Sequence, residues 1–239
     1  MDALVLAAGK GTRLRPLTDQ KPKVLVEVKG KSLIEHIIDD LKEIGAKQIT
    51  VVKGYMGEML EERLDKYENI DFIQQEKQLG TAHAIGLSSF SSPFLTVNGD
   101  VFMHRRNLRN LVSAFGEDTE AVIGSMRVEN PEEFGVLEVK GREVKDIIEK
   151  PDEPPSDIIN TGTYVFSPEI YKYIKRTEVS ERGEYEITDS LRMMLKDGKP
   201  VSHAKFSDYW IDVGRHEDLA RAKNIETKDK TKRSVVSVG

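Results

Sequence analysis

The chain has 239 residues, 38% of them hydrophobic and 32% charged, with a net charge of -5 and no cysteine. That length suits one large α/β domain or two small ones around a sizeable core. The acidic balance argues against a general nucleic-acid binder, and the missing cysteine excludes disulfides, thiolate metal sites and a thiol nucleophile. The first predicted element is a buried strand at residues 3–8. This run is too short for a signal-peptide core and follows no basic segment, and no run approaches the roughly 18 apolar residues of a membrane span, so a cytoplasmic location is expected. A helix is predicted over 32–44, where Leu33, Ile34, Ile37, Ile38, Leu41 and Ile44 share one face. Ser32 with Glu35 makes a capping box, and Gly45 is the stop. Strands at 48–52, 71–74, 94–97 and 121–126 then alternate with helices at 57–67, 81–89 and 107–115. This order predicts an α/β fold: a Rossmann-like, mixed and mostly parallel sheet with helices on both faces.

The second half changes character. Residues 134–139 and 143–149 read as a hairpin around Lys140-Gly141, followed by a strand at 158–166. Helices are predicted at 168–176 and 186–196, strands at 201–206 and 209–213, and a closing helix at 216–225. Antiparallel strands joined to a parallel sheet predict an added lid or substrate subdomain within one domain spanning 1–226. A basic tail follows at 227–239. There is no linker-like stretch and no internal repeat.

Residues 10–23 carry Lys10, Arg13, Arg15, Lys21 and Lys23 against one acid, Asp19. A basic loop in an acidic protein points to a discrete anionic ligand. The string Leu6-Ala7-Ala8-Gly9-Lys10-Gly11-Thr12-Arg13-Leu14 follows the first strand directly. Its small residues allow close backbone approach, and its amides can cradle phosphate oxygens. It is not a Walker A loop, because the Gly-Lys-Ser/Thr ending is absent. It is not a dinucleotide loop either: Leu14 stands where a third glycine belongs, and Lys53-Gly54 stand where the ribose acid belongs.

Asp100 ends an apolar strand in Asn98-Gly99-Asp100, and Asp212 ends another in Trp210-Ile211-Asp212. Ligands of open α/β sheets lie beyond the carboxyl ends of strands. Two such carboxylates suit Mg²⁺, which takes one or two protein carboxylates plus phosphates and water. Trp210 reads as core. Gln75 offers a donor and an acceptor to a base edge, and Gly80 and Thr81 open a helix whose amides face a ligand. His83, one turn into that helix, reads as a packing or solvent residue. Gly135, Glu149, Lys150 and Asn160 belong to three short motifs suited to a polyol phosphate: a carboxylate for hydroxyls, a lysine for phosphate, and glycines for close approach. The run Glu184-Tyr185-Glu186-Ile187-Thr188-Asp189 reads as further pocket lining or as a helix start.

Together these motifs resemble the sugar-1-phosphate nucleotidylyltransferases. The resemblance runs from Leu6 to Gly214, and its most specific part is Ala7–Leu14 followed by Pro22-Lys23. It implies a Mg²⁺-dependent enzyme that joins a nucleoside triphosphate to a sugar 1-phosphate and releases pyrophosphate. Arg13 and Lys23 would contact the triphosphate, and Asp100 and Asp212 would hold the metal. Leu6, Ala8, Gly9, Gly11, Thr12, Gln75, Gly80 and Thr81 would bind the nucleotide. Gly135, Glu149, Lys150 and Asn160 would bind the sugar phosphate. Gln78-Leu79-Gly80-Thr81 with the following Ala-His-Ala looks most like the uridylyl members, so UTP or dTTP is favoured. Cytidylyl and guanylyl transfer to another polyol phosphate is a second reading, and a non-catalytic nucleotide-sugar sensor a third. The resemblance implies no nucleic-acid or membrane partner and is compatible with a homo-oligomer. The sequence lacks the hexapeptide repeat of larger relatives, so acetyl transfer is not expected.

Overall fold

A computed structural model describes residues 1–226, and the tail at 227–239 lies outside the described residues. The chain opens with β1 (Asp2–Ala7), followed by a glycine loop and the small antiparallel pair β2 (Glu27–Val28) and β3 (Lys31–Ser32). It continues through α1 (Leu33–Glu43), β4 (Ile49–Lys53), α2 (Gly57–Leu64), β5 (Ile70–Gln74), α3 (Thr81–Gly86) and β6 (Phe94–Asn98). Next come β7 (Val101–Met103), α4 (Arg105–Ala114), β8 (Ala121–Arg127), β9 (Gly135–Lys140), β10 (Glu143–Glu149) and β11 (Ile158–Phe166). The described chain closes with α5 (Ile170–Ile174), α6 (Ile187–Lys196), β12 (Val201–Lys205), β13 (Trp210–Asp212) and α7 (His216–Asn224).

Nine strands form one sheet in the order β5-β4-β1-β6-β11-β8-β12-β10-β9. The pairs β5/β4, β4/β1, β1/β6 and β8/β12 are parallel. β11 enters antiparallel between β6 and β8, and β9/β10 is an antiparallel hairpin at the edge. The sheet is therefore mixed, as expected, and β9, β10 and β11 continue it and do not form a layer of their own.

β1 shows how the sheet is covered. Ala3, Val5 and Ala7 share a core with Ile34 of α1, Leu60 of α2 and Leu108 of α4. Leu4 and Ala8 face the other way, into a core with Ile85 of α3, Ile170 of α5 and Leu191 of α6. Alternate side chains of a strand point to opposite faces, so a strand apolar at every position needs helices on both sides. The capping box holds: the Ser32 N–H and Oγ–H both donate to Glu35 Oε2, at 3.0 and 2.7 Å. α1 buries Leu33, Ile34, Ile37, Ile38 and Leu41, at roughly 1.5–3 kcal/mol of transfer free energy each.

Some helices are shorter than their periodicity predicts. α3 stops at Gly86, where Ser88 Oγ donates to the Ile85 carbonyl at 2.7 Å and draws the chain off the axis. At both ends of α5 the backbone makes i to i−3 bonds (Tyr171 N–H to Pro168, Arg176 N–H to Tyr173), so the expected helix tightens into turns there.

Two irregularities shape the site. β7 pairs antiparallel with β13, with Val101 opposite Asp212, and the Val213 N–H donates to the Asp100 carbonyl at 3.0 Å. This ribbon stands over a third core of Leu14, Val26, Phe102, Ile211, Val213 and Leu219. β11 breaks register with β8 between Asn160 and Tyr164. There Asn160 Oδ1 accepts from the Gly162 N–H at 2.9 Å, and Trp210 Nε1–H donates to the Thr161 carbonyl at 3.1 Å. Trp210 is buried, as its sequence context predicts.

Candidate active site

Because β4, β1 and β6 are adjacent and parallel, their carboxyl ends open on one edge of the sheet. The glycine loop leaves β1 at this edge. Gly11 is left-handed, with φ of 63°, and a Cβ there would lie 2.6 Å from Lys23 Cβ. The loop can fold over Lys23 only because that position has no side chain. Thr18 Oγ donates to the Gly11 carbonyl at 2.8 Å and holds the bend.

A cavity of about 470 Å³ lies against this loop. Its walls include Leu6, Ala8, Gly9, Gly11, Thr12, Arg13, Lys23, Gln75, Gly80, Thr81 and Asp100. Beside it lies a second cavity of about 210 Å³, whose walls include Gly135, Glu149, Lys150, Asn160 and Asp212. The two share Arg13, Thr81, Asn98 and Gly214. Residues from separate parts of the chain thus meet as two adjoining compartments.

Lys23 lies at the junction, 7% exposed. Its Nζ donates to Asp100 Oδ2 at 2.8 Å and stands 3.8 Å from Asp212 Oδ1. Burial alone would lower the lysine's pKa, but the two carboxylates outweigh it and the pKa rises, so the ammonium is charged at neutral pH. Burial, and then the neighbouring Asp100, push the Asp212 carboxyl up to about 6. Asp212 Oδ1 is buried and accepts no hydrogen bond. Asp212 lines the smaller cavity beside a second carboxylate and keeps one oxygen without a hydrogen bond, an arrangement that fits a hard divalent cation completed by substrate oxygens. Among the described residues no group of three or more His, Cys, Asp or Glu forms a self-sufficient metal cage.

In the larger cavity Gln75 is 4% exposed, and its Nε2 lies 2.8 Å from His83 Nδ1. His83 packs on Tyr185, as its packing reading expects, and its ring nitrogen in addition engages the Gln75 side chain. Gly80 has φ of 110°, and a Cβ there would lie 2.6 Å from the Tyr185 carbonyl oxygen. That close approach brings residues 184–187 against the helix start. Thr81 Oγ accepts from the Ile187 N–H at 3.0 Å, so this hydroxyl ties α3 to α6 while it lines both compartments.

A family model described as Nucleotidyl transferase matches residues 2–229. This chain belongs to the nucleotidyl transferase family. The nucleotidyltransferase is 37% identical to the low-salt glycan biosynthesis nucleotidyltransferase Agl11 of Haloferax volcanii, over 99% of this chain and 70% of that one. It is 35% identical to the UTP--glucose-1-phosphate uridylyltransferase AglF of the same organism, over 93% of this chain and 95% of that one. A solved UDP-glucose pyrophosphorylase complexed with UDP-glucose matches with a TM-score of 0.84 at 25% identity, covering 93% of this chain and 97% of that one. The nucleotidyltransferase spans a little over half the length of two bifunctional GlmU relatives, 56% and 59%.

In the smaller compartment of the nucleotidyltransferase, Glu149 Oε1 accepts from Arg182 Nη1 at 3.1 Å. Asn160 is heavily committed within the protein: Nδ2 donates to the Tyr164 hydroxyl at 2.6 Å, and Oδ1 supports the β11 irregularity. One amide hydrogen and one lone pair are left for a ligand. Lys150 is exposed at the rim, with φ of 42°.

Three side chains that the sequence gives no individual role stand in the cavity walls. Gln78 Nε2 donates to the Ala8 carbonyl and joins two walls of the larger cavity. Asn98 stands in both cavities with a buried, unpartnered Oδ1; its place one residue before Gly99-Asp100 was the available signal. Glu186 is 5% exposed and lines the smaller cavity, and burial, then Glu149, push its carboxyl up to about 7. The segment 184–189 serves both suggested purposes, as pocket lining and as the entry to α6.

Proposed function

We propose that this nucleotidyltransferase transfers a nucleotidyl group from UTP or dTTP to a sugar 1-phosphate. The observation that carries the reading is the pair of adjoining cavities that share Arg13, with Lys23, Asp100 and Asp212 at their junction. The triphosphate lies along the glycine loop, with its base beside Gln75 and Gly80. The sugar phosphate lies in the smaller cavity between Glu149, Lys150, Gly135 and Asn160.

A non-bridging oxygen of the sugar phosphate attacks the α-phosphorus in line. The bond from that phosphorus to the β-phosphate oxygen breaks, and pyrophosphate leaves with the bonding pair. The attacking oxygen is already ionised at neutral pH, so no general base is required. What the protein must do is hold two anions together and spread the charge that moves between them. Arg13, shared by both compartments, bridges the two phosphates. Lys23, held charged by its two carboxylates, faces the larger cavity from below the loop. Mg²⁺, which Asp100 and Asp212 would hold, supplies neutralisation of the triphosphate when bound.

Residues 1–226 act as one unit in this reading, in the cytoplasm, where nucleoside triphosphates are supplied. Among the described residues no helix is long and apolar enough to cross a membrane. The test is a pyrophosphate-release screen of five nucleoside triphosphates against a panel of sugar and polyol phosphates. UTP or dTTP with a sugar 1-phosphate should give the highest specificity constant. A preference for ATP or GTP would overturn the base assignment, and a lack of release with every pair would overturn the reaction.

A further inference from the structure

A glutamine amide has two ends of opposite hydrogen-bonding character and nearly equal size. Rotated by half a turn, it offers a donor where it offered an acceptor. A lone glutamine facing a pyrimidine therefore cannot tell the N3–H of uracil or thymine from the N3 lone pair of cytosine. For the glutamine itself to select, a second group must lock the amide one way round.

The structure provides such a group. Gln75 follows β5, and its backbone N–H is spent on the Lys53 carbonyl at 2.8 Å. Its Nε2 meets His83 Nδ1 at 2.8 Å. The imidazole is itself held. The neighbouring Ala82 N–H donates to the Tyr185 carbonyl at 2.9 Å, and the His83 ring stacks on Tyr185 with centroids 6.5 Å apart. An imidazole with its proton on Nε2 presents a lone pair at Nδ1 and accepts from the amide. Among the described residues Gln75 Oε1 accepts no side-chain hydrogen bond, and the side chain lines the larger cavity.

Resting on the base cavity of the proposed function, we propose that His83 is a positioning residue that sets base selectivity. By accepting at Nδ1 it fixes Gln75 with Oε1 toward the base. That oxygen accepts from N3–H of uracil or thymine and opposes the N3 lone pair of cytosine. Discrimination comes from the mismatch as much as from the match, because a desolvated acceptor facing an acceptor has no partner. The reverse pairing, Nδ1–H donating to Oε1, would aim the amide NH₂ at the base and favour cytosine. CTP is therefore the informative competitor.

The experiment measures kcat/KM for UTP and for CTP in the full chain, with glucose 1-phosphate and Mg²⁺ in each case, and takes their ratio. His83→Asp offers only an acceptor, at the same distance along the side chain as Nδ1, and should leave the ratio close to wild type. His83→Lys offers only a donor and should turn the amide round, lowering the ratio by roughly 100-fold. A ratio within one sample is insensitive to the fraction folded. If the lysine variant does not fold, His83→Ala removes the lock and should bring the ratio toward unity. Calorimetric binding of UDP and CDP gives the same comparison without turnover. A wild-type ratio in both the lysine and the alanine variants overturns the role of His83, as does equal loss in the aspartate and lysine variants. A wild-type enzyme that prefers CTP overturns the assigned orientation. A wild-type enzyme that neither turns over nor binds any pyrimidine nucleotide overturns the proposed function itself.

Discussion

Lys23→Met keeps most of the side-chain volume and removes the charge. The wild-type ammonium lies 2.8 Å from Asp100 and 3.8 Å from Asp212. Breaking a buried pair by removing one partner costs about 3–5 kcal/mol, because a charge is left uncompensated. Here two carboxylates would face each other, but their side chains are 32% and 35% exposed. Water screens part of the penalty, which leaves roughly 2–3 kcal/mol. In a chain of this size that corresponds to a Tm lower by about 4–12 °C. The catalytic effect should be larger. A positioned donor to charge that develops in the transition state is worth about 100- to 1000-fold in kcat. Interactions that strengthen in the transition state act on turnover more than on ground-state binding, so the KM for the sugar phosphate should move little. The assay is steady-state kinetics with both substrates varied, together with a thermal melt. A variant with wild-type kcat, or one whose whole defect lies in the sugar-phosphate KM, would refute the placement of Lys23 at the transferring phosphate.

Lys150→Ala should show the complementary pattern. It should raise the sugar-phosphate KM about 10- to 100-fold through loss of one charge-assisted contact, with kcat largely kept, and unchanged constants would remove it from the site. Asp100→Ala, or excess chelator with the wild type, should lower the rate by roughly a thousandfold; full turnover in chelator would sink the metal assignment. Gly11→Ala places a Cβ 2.6 Å from Lys23 Cβ at a left-handed φ, so it should cost roughly 1–3 kcal/mol of stability and depress kcat by displacing Lys23, both measurable on one preparation. Glu35 bears on pH stability. Burial would raise its pKa, but hydrogen bonds from Lys66, Ser32 and Arg63 outweigh this and hold it at about 2, below the ordinary 4.5. A lowered folded-state pKa gives stability that is fully present above pH 4.5 and lost as the pH falls toward 2. Glu35→Gln should therefore destabilise the protein at pH 7 by on the order of 2 kcal/mol, and denaturant titrations should show the gap closing below pH 4.5.

Much of the fold was legible because its causes are local. The helical face from Leu33 to Leu41 and the Ser32/Glu35 cap lie within a few turns of chain, and both appear as read. β11 matches its predicted span of 158–166, since Ile158, Ile159, Thr161, Thr163 and Val165 are β-branched and Tyr164 and Phe166 aromatic, the residue types that fit a strand. The glycine string and strand-end aspartates were legible as chemistry, because close backbone approach and hard-cation ligation each demand particular residue types. The ends of α3 and α5 were not legible, because a serine hydroxyl and tight turns compete with the helix there.

Which of these groups meet depends on long-range packing. Asp100 and Asp212 reach the same lysine because β7 and β13 pair with Val101 opposite Asp212, and strand register depends on distant partners that no local pattern records. His83 reads as an ordinary helical residue until β5 and α3 bring its Nδ1 to Gln75. Glu186 becomes a perturbed carboxyl only when the approach of Gly80 to Tyr185 buries it beside Glu149. Residue order settles which functional groups are available and which short elements carry them. Their distances, burial and protonation come from long-range packing, because solvent exclusion and charge proximity are properties of the assembled chain.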